Sequence, residues 1–384
     1  MKNKMTMFLV CVVALLGVAT SSQAQTLAGR SSPRRMEGMR AMGMGGAFSA
    51  VKGTDENALF YNPAAINDFD KKIHMQFALP TVEFSYRAVN FVASDLMDLA
   101  DDIDGAASDA AKVNVLDAFA AQNTGRYEEV GLHGNLVTFM HKWVTASIFY
   151  DNSTVIALTN PASSTVDVEA LTQAGLQVGS AYSFFDDRLQ VGAAIKLIER
   201  HLIDETITQR AVVSFNDFGD SFDFERFGFG FGVDLGVKGR PPVPGKLWEY
   251  LDPVFALTLQ DVGHTRFSGN VGQSKESLTG GLAIHPDFWK LKTQLVLDVR
   301  DLEYATDFVT KLHAGYEVMW PEISKILYSV SLRLGLNQGY FAGGFGLDFK
   351  YFKLNAATWG REVSSRAMYQ KQSRMFGVQL AAGF

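Results

Sequence analysis

The chain has 384 residues, 47% of them hydrophobic, and 35 Lys and Arg against 41 Asp and Glu give a formal net charge of −6. That balance argues against nucleic acid as a bulk electrostatic partner, and the only cysteine, Cys11, leaves no thiol chemistry for the rest of the chain, neither disulfide, thiolate metal site nor nucleophile. A mean hydropathy of +0.03 suits a soluble globule, but it also results when lipid-facing and lumen-facing residues alternate along membrane-spanning strands.

The first segment is an address. Lys2 and Lys4 precede an apolar run from Met7 to Val18, and Ser22-Gln23-Ala24 places small residues third and first before a cut. Residues 1–24 therefore read as a secretory signal peptide cleaved after Ala24. The apolar run is shorter than the roughly 20 residues a spanning helix needs. Cys11 lies inside that run and not at a cleavage point, which argues against a lipoprotein.

The stretch from Gln25 to Asp70 is too long for a tether. Met42-Gly43-Met44-Gly45-Gly46-Ala47-Phe48 is followed by Asp55-Glu56-Asn57-Ala58 and by Asn62-Pro63-Ala64-Ala65. Glycines let a backbone turn tightly and approach other surfaces. No Lys-Ser or Lys-Thr follows them and no βαβ unit surrounds them, so a phosphate-cradling loop is not supported.

From residue 73 the pattern has a period of two. Phe227, Phe229, Phe231, Val233, Leu235 and Val237 alternate with Gly228, Gly230, Gly232, Asp234, Gly236 and Lys238, and the same split recurs over 291–300, 311–318, 330–337 and 341–349. A helix would scatter these residues round its circumference, so the period is a β signal. Strands are expected near 73–88, 128–140, 143–157, 172–185, 188–201, 226–239, 251–263, 277–285, 291–302, 308–319, 326–337, 340–350, 352–361 and 373–384, fourteen in all. The stretch Leu202 to Phe215 has the pattern of a further hairpin. An even number closes an antiparallel up-and-down transmembrane barrel with both ends on the periplasmic side. Phe185-Asp186-Asp187-Arg188, Trp320-Pro321-Glu322 and Arg240-Pro241-Pro242-Val243-Pro244-Gly245 then become periplasmic connections, and 202–225, 264–276 and 362–372 become outer loops.

One segment breaks the period. Over residues 91–122, Leu96, Leu99, Ile103, Ala106, Ala110, Val113 and Leu116 recur at helical spacing among Asp95, Asp98, Asp101, Asp102, Asp104 and Asp109, the pattern of an amphipathic, acidic helical insert. Following the first strand, it is expected to cap the outer mouth, as a structural cover for the rim or as a gate or partner site.

At the C-terminus Phe376, Val378, Leu380, Ala382 and Phe384 share one strand face. Such an apolar edge invites aggregation unless it has a neighbour on each side, and Phe376, Val378, Leu380 and Phe384 are read as the barrel-assembly signal. On the opposite faces of the strands, Lys196, Asp234, Lys238, Lys292, Asp298, Arg300, Lys311, His313, Glu317, Arg333 and Asp348 should point inward. Both signs occur there, so pairing with one another or with Arg40, Lys52, Asp55 and Glu56 is expected. For the glycine face at 228–236, relief of crowding in a curved strand is the simpler explanation, with room for an inner segment as the other. The seven histidines stand in no catalytic or metal-ligand motif, and no Gly-x-Ser-x-Gly elbow occurs. No catalytic residue, cofactor or metal is assigned, and His313, beside Lys311 and Glu317, is the histidine of most interest.

In Gly43, Gly45, Gly46 and Phe48, then Asp55-Glu56-Asn57 and Asn62-Pro63-Ala64, set between a signal peptide and a barrel ending in Phe, the chain resembles the FadL-like family of outer-membrane transport proteins. The resemblance is strongest to the branch that includes PorV-type and conjugal-transfer TraF-like barrels. It implies an N-terminal plug, or hatch (residues 25–72), inside a barrel of residues 73–384 in the outer membrane of a Gram-negative bacterium. It also implies passive uptake of hydrophobic or amphipathic small molecules of the long-chain fatty acid or hydrocarbon type. The alternative it offers is a non-transporting barrel that binds partners in secretion, conjugation or envelope assembly. Partners are then outer-membrane lipid, a hydrophobic small molecule and, during biogenesis, the barrel-assembly machinery. No ligand-binding residue is matched individually.

Overall fold

In a computed structural model of the chain, the described residues are 37–52, 55–69, 71–158, 165–214, 226–241, 245–286, 288–304, 307–363 and 372–383. The signal peptide with its cleavage point, residues 25–36 and Phe384 lie outside them. Residues 37–69 run through the interior and carry α1 (Met39–Gly43), α2 (Ala58–Tyr61) and a 3-10 turn, Pro63–Asp68. The wall then follows: β1 (His74–Ala78), β2 (Thr81–Ser85), β3 (Tyr127–His141), β4 (Val144–Ala157), β5 (Val166–Phe184), β6 (Leu189–Ile207), β7 (Phe227–Gly239) and β8 (Val254–Gln260). A small hairpin, β9 (Thr265–Arg266) and β10 (Gln273–Ser274), precedes β11 (Ser277–Ile284), β12 (Lys292–Val299), β13 (Leu312–Pro321), β14 (Leu327–Asn337), β15 (Tyr340–Phe349), β16 (Phe352–Glu362) and β17 (Gln372–Gly383).

Every neighbouring wall pair is antiparallel, and β1 and β2 each pair with β17 on one side and β3 on the other, so the sheet closes. β1 and β2 are halves of one wall strand broken at Leu79-Pro80, where proline has no N–H to give. Across the break the register against β17 slips by one residue, from Ala78↔Ala381 to Val82↔Val378, which is a bulge. Counting the halves together, the wall has fourteen strands. Closure leaves no edge, which is what a sheet needs in hydrocarbon. On β7, Phe227, Phe229 and Phe231 are exposed and the glycines between them are buried. The lipid face and the lumenal face therefore fall as the alternation requires.

The wall is uneven. β5 and β6 have 19 residues each, whereas β8 has 7 and β11 and β12 have 8. The stretch after Leu202 is not a separate hairpin: β6 continues to Ile207 and is followed by a short helix, Gln209–Ser214.

The insert contains α3 (Ala88–Asn90), a π-helical turn (Phe91–Asp95), α4 (Leu96–Asp104) and α5 (Asp109–Asn123), and α6 (Gln209–Ser214) lies beside it. It does not sit across the mouth. Phe91, Leu99, Ile103, Leu116 and Ala120 pack on Ile156, Leu158, Val166 and Ile207, with Val168 partly buried alongside. Those wall residues share the strand faces of Ile148, Leu176 and Leu197, which are exposed lower down. The helices therefore cover the outward face of the tall β4–β6 wall. Ser108 caps α5 through the Ala111 N–H, and Arg126 closes the far end of the insert on Asp95 at 2.7 Å.

Candidate functional site: an inner segment caged by ion pairs

The inner segment is held by side chains from six or more strands, and its own backbone explains how. In α1, Arg40 reaches β13, where Glu317 takes two bonds from it, Nε to Oε1 at 3.0 Å and Nη2 to Oε2 at 2.7 Å. Arg333 Nε adds a bond at 2.7 Å and Gln294 Nε2 another at 2.5 Å, so one buried carboxylate serves two guanidiniums and an amide. Arg40 Nη1 also lies 3.3 Å from Asp55. A bidentate arginine fork fixes orientation as well as charge.

After α1 the chain turns through Gly45 and Gly46 at φ +67° and +84°. At Gly45 a Cβ would run into the Leu336 and Ala314 carbonyls, so glycine is required both by its φ and by the wall's closeness. The turned backbone offers its carbonyls to the wall: His313 Nδ1 donates to Gly45 O at 2.9 Å, and Arg300 donates to Gly46 O and to Glu37. Asp298 accepts the Phe48 and Ser49 N–H groups at 2.8 and 3.0 Å and the Ser49 hydroxyl at 2.6 Å. His313 is thus a fastener of the glycine turn.

In the second motif Asn57 donates its N–H to Asp55 Oδ1 and accepts from Asn135 Nδ2, both bonds between side chain and neighbour near 3.0 Å. Glu56 is buried. Asn62 caps the 3-10 turn by accepting the Ala64 N–H at 3.0 Å, with Pro63 at the first position, where its missing N–H costs nothing. Asn62 also donates to Ser49 O, tying the two motifs together. Wall glycines face this turn. A Cβ on Gly236 would meet Asn62 and Pro63, and one on Gly192 would meet the Pro63–Ala64 backbone.

The remaining inward charges divide by position. Lys196 bridges Asp234 at 2.8 Å and Asp261 at 2.7 Å, and Lys238 pairs with Asp68 and donates to Val51 O. Three candidates stand apart: Lys311 ends α7 (Phe308–Lys311) at the outer rim and donates to Tyr304 O, Lys292 is exposed, and Asp348 is half-buried. The pairing partners Asp68, Asp261, Gln294, Glu37 and Arg361 were not singled out from sequence. Asp68 lies within the inner segment, and the parity of Gln294 and Arg361 already placed them inward. At the periplasmic rim a further fastening joins Lys52 to the segment between β7 and β8: Lys52 pairs with Asp252, and its N–H donates to His285 Nε2 at 3.1 Å. His285 Nδ1 donates in turn to Asp252 O at 3.1 Å.

The glycine face of β7 has a second occupant. The loop after β8 folds inward over it, so that a Cβ on Gly228 would strike Ser268 O, one on Gly230 the Phe267 ring at 2.6 Å, and one on Gly232 the Thr265 hydroxyl. Packing against the loop and the inner segment, rather than relief in a curved strand, accounts for these glycines. On the outward face near the C-terminus, Val378 and Leu380 are exposed, and Phe376 stacks on Phe84 across the closing seam at 6.0 Å.

Among known proteins, no family model matches the chain and no curated protein matches it. Solved structures do. The CymD monoaromatic hydrocarbon channel aligns over 89% of this chain and 96% of its own, at 10% identity and TM-score 0.49. The Pseudomonas putida toluene transporter TodX aligns over 94% and 99%, at 12% identity and TM-score 0.47. A Pseudomonas aeruginosa FadL homologue aligns over 96% and 99%, at 8% identity and TM-score 0.41. Likenesses this distant speak of barrel architecture at most.

Proposed function

We propose that the protein is an outer-membrane channel for passive uptake of hydrophobic or amphipathic small molecules, with residues 25–72 acting as its plug. One observation carries the reading. The lumenal face is lined mainly by ion pairs and amides, yet an apolar stripe descends the inner face of β5 and β6. It runs from Leu171, Leu202, Val271 and Phe267 down to Phe149, Ile198, Ala181 and Ala194, where it meets Leu59, Phe60 and Ile66 of the plug. An aqueous pore has no use for such a stripe, whereas a molecule that partitions out of water needs one. The wall alternation and the signal sequence support export to the outer membrane, with cleavage after Ala24.

Uptake of a labelled long-chain fatty acid and of an aromatic hydrocarbon, by cells with and without the protein, tests this. Uptake should require the protein, and Leu202→Lys, which places a charge in the stripe, should reduce it about tenfold or more, because burying an unpaired charge is costly. Equal uptake of every probe with and without the protein sinks the reading.

A second reading, a partner-binding barrel, is favoured by the placement of the insert. Its helices stand beside the wall with Asp98, Asp102, Asp104 and Asp109 exposed, where a docking protein has free access. Loss of uptake on removal of the insert alone would move the weight to the first reading.

A further inference from the structure

We propose that the inward-folded loop Asp261–Ser274 is a second closure of the lumen, in series with the plug, and that Phe267 sets which hydrophobic molecules pass it. The inference rests on the uptake reading and adds to it a gate and a selecting residue.

The loop is seated. Gly228, Gly230 and Gly232 form a trough without side chains, and Ser268, Phe267 and Thr265 fill it in turn. The backbone docks as well, Ser268 N–H donating to Phe229 O at 2.8 Å and Val262 N–H to Val233 O at 2.9 Å. At its base Asp261 binds Lys196 and the Thr265 hydroxyl, at 2.7 Å each. Toward its end Arg200 donates to Ser274 Oγ at 2.5 Å and to Val271 O at 3.4 Å.

Phe267 is the stopper. Its ring lies beneath the Arg200 guanidinium, 3.7 Å from carbon to centroid, and packs against both Leu171, Leu202 and Val271 above and the plug-centred cluster below. The ring therefore interrupts the apolar stripe where upper and lower halves meet. A hydrophobic molecule following the stripe must displace that ring, so the hollow it vacates limits the size of what enters. Gly263 and Gly272 turn the loop at φ +71° and +72°, and the Gly263 N–H donates to Glu276 Oε2 at 2.6 Å, one more bond that opening must break. Loop and plug are coupled too, since Phe267 touches the plug cluster and Gln260, just before the loop, donates to Phe60 O at 2.5 Å.

A chain whose only cysteine is Cys11 makes the test direct. Ile198→Cys, in the lower half of the stripe beneath Phe267, is a reporter behind the loop, read in intact cells by its rate of reaction with a membrane-impermeant maleimide, with heat-modifiable gel mobility as the folding control. Labelling should be slow in the Ile198→Cys protein and about tenfold or more faster when Phe267→Ala is added or residues 264–274 are replaced by a short Gly-Ser linker, because protection scales with the opening free energy. Phe267→Ala should also admit a two-ring arene relative to a one-ring arene better than the parent does, and the oxidised pair Gly232→Cys with Thr265→Cys should stop uptake until reductant is added. Equal labelling in all three proteins overturns the closure. Faster labelling with an unchanged size preference overturns the role of Phe267 in selection. Faster labelling when neither parent nor variants take up any hydrophobic probe keeps the closure and instead removes the uptake reading on which selection depends.

Discussion

At the residue scale, Glu317 bears the most. Its carboxylate faces Arg40, Arg333 and Gln294 at once, so Glu317→Gln leaves buried Arg333 without its paired anion and Arg40 with Asp55 alone. Breaking a buried pair from one side costs about 3–5 kcal/mol, and the urea midpoint of the protein folded in vesicles should fall accordingly. Arg40→Met should cost less, since Glu317 keeps Arg333. Equal losses for the two variants would mean that Glu317 is not the hub. Glycines give a second contrast. Gly236→Ala puts a methyl against Asn62 and Pro63 and should destabilise by about 1–3 kcal/mol through overpacking. Gly343→Ala, whose Cβ meets nothing closer than 3.6 Å, should stay within about 0.5 kcal/mol. The inward direction of Asp298, Arg300, His313, Glu317 and Arg333 was legible in the sequence because parity alone decides it. Their partners were not, since Arg40 and Glu317 are 277 positions apart and nothing local records which strand an inner segment will lie against.

At the scale of elements, the fastening of the inner segment to the connection between β7 and β8 depends on a neutral imidazole. His285 accepts the Lys52 N–H through Nε2 and donates through Nδ1 to Asp252 O. Burial, with the nearby Lys52 and Lys238 charges, holds its pKa below the ordinary histidine value, which is about 6.5. A depressed pKa means that the contribution is complete above the unfolded value and is lost as pH falls through the folded one. Protonation removes the acceptor and sets a cation beside Lys52. Trypsin cleavage after Lys52 should therefore accelerate as pH is lowered from about 7 toward about 5, relative to an exposed lysine such as Lys246, and His285→Gln should abolish that difference. A pH response unchanged in His285→Gln would assign it elsewhere. The insert shows where element-level reading stops. Its helical spacing, with Leu99, Ile103 and Leu116 on the buried side, was plain. Its place was not, because the same stripe serves a helix lying over a mouth or beside a wall. What decides is that β4–β6 continue well past the lipid band, so Ile156, Val166 and Ile207 needed a cover on their outward face.

For the whole molecule, the uneven wall sets a relation to the bilayer. Fourteen strands followed from the period of two, since each side chain must satisfy lipid or lumen at every step, but not all their ends: β5 begins at Val166 and not at 172, and β6 runs to Ile207 and not 201. The difference in height between the sides did not, because strand ends depend on what each loop does beyond the membrane. At roughly 3.3 Å per residue and a tilt of about 40°, a strand of β11's length rises about 20 Å, short of the apolar band of about 25 Å that such barrels present. β5 and β6 exceed it with ease. The side formed by β8, β11 and β12 therefore matches a thin membrane better than a thick one, and a mismatch carries a cost for every ångström. Refolding into phosphatidylcholine vesicles should be more complete in short-chain than in long-chain lipid, scored by the heat-sensitive gel shift of the closed barrel. Lengthening β11 and β12 by two residues each, with the alternation kept, should narrow that gap. If lengthening leaves the chain-length dependence untouched, the short side does not set how this barrel meets its membrane, and the loops at 261–276 and 300–311 must complete the apolar band there.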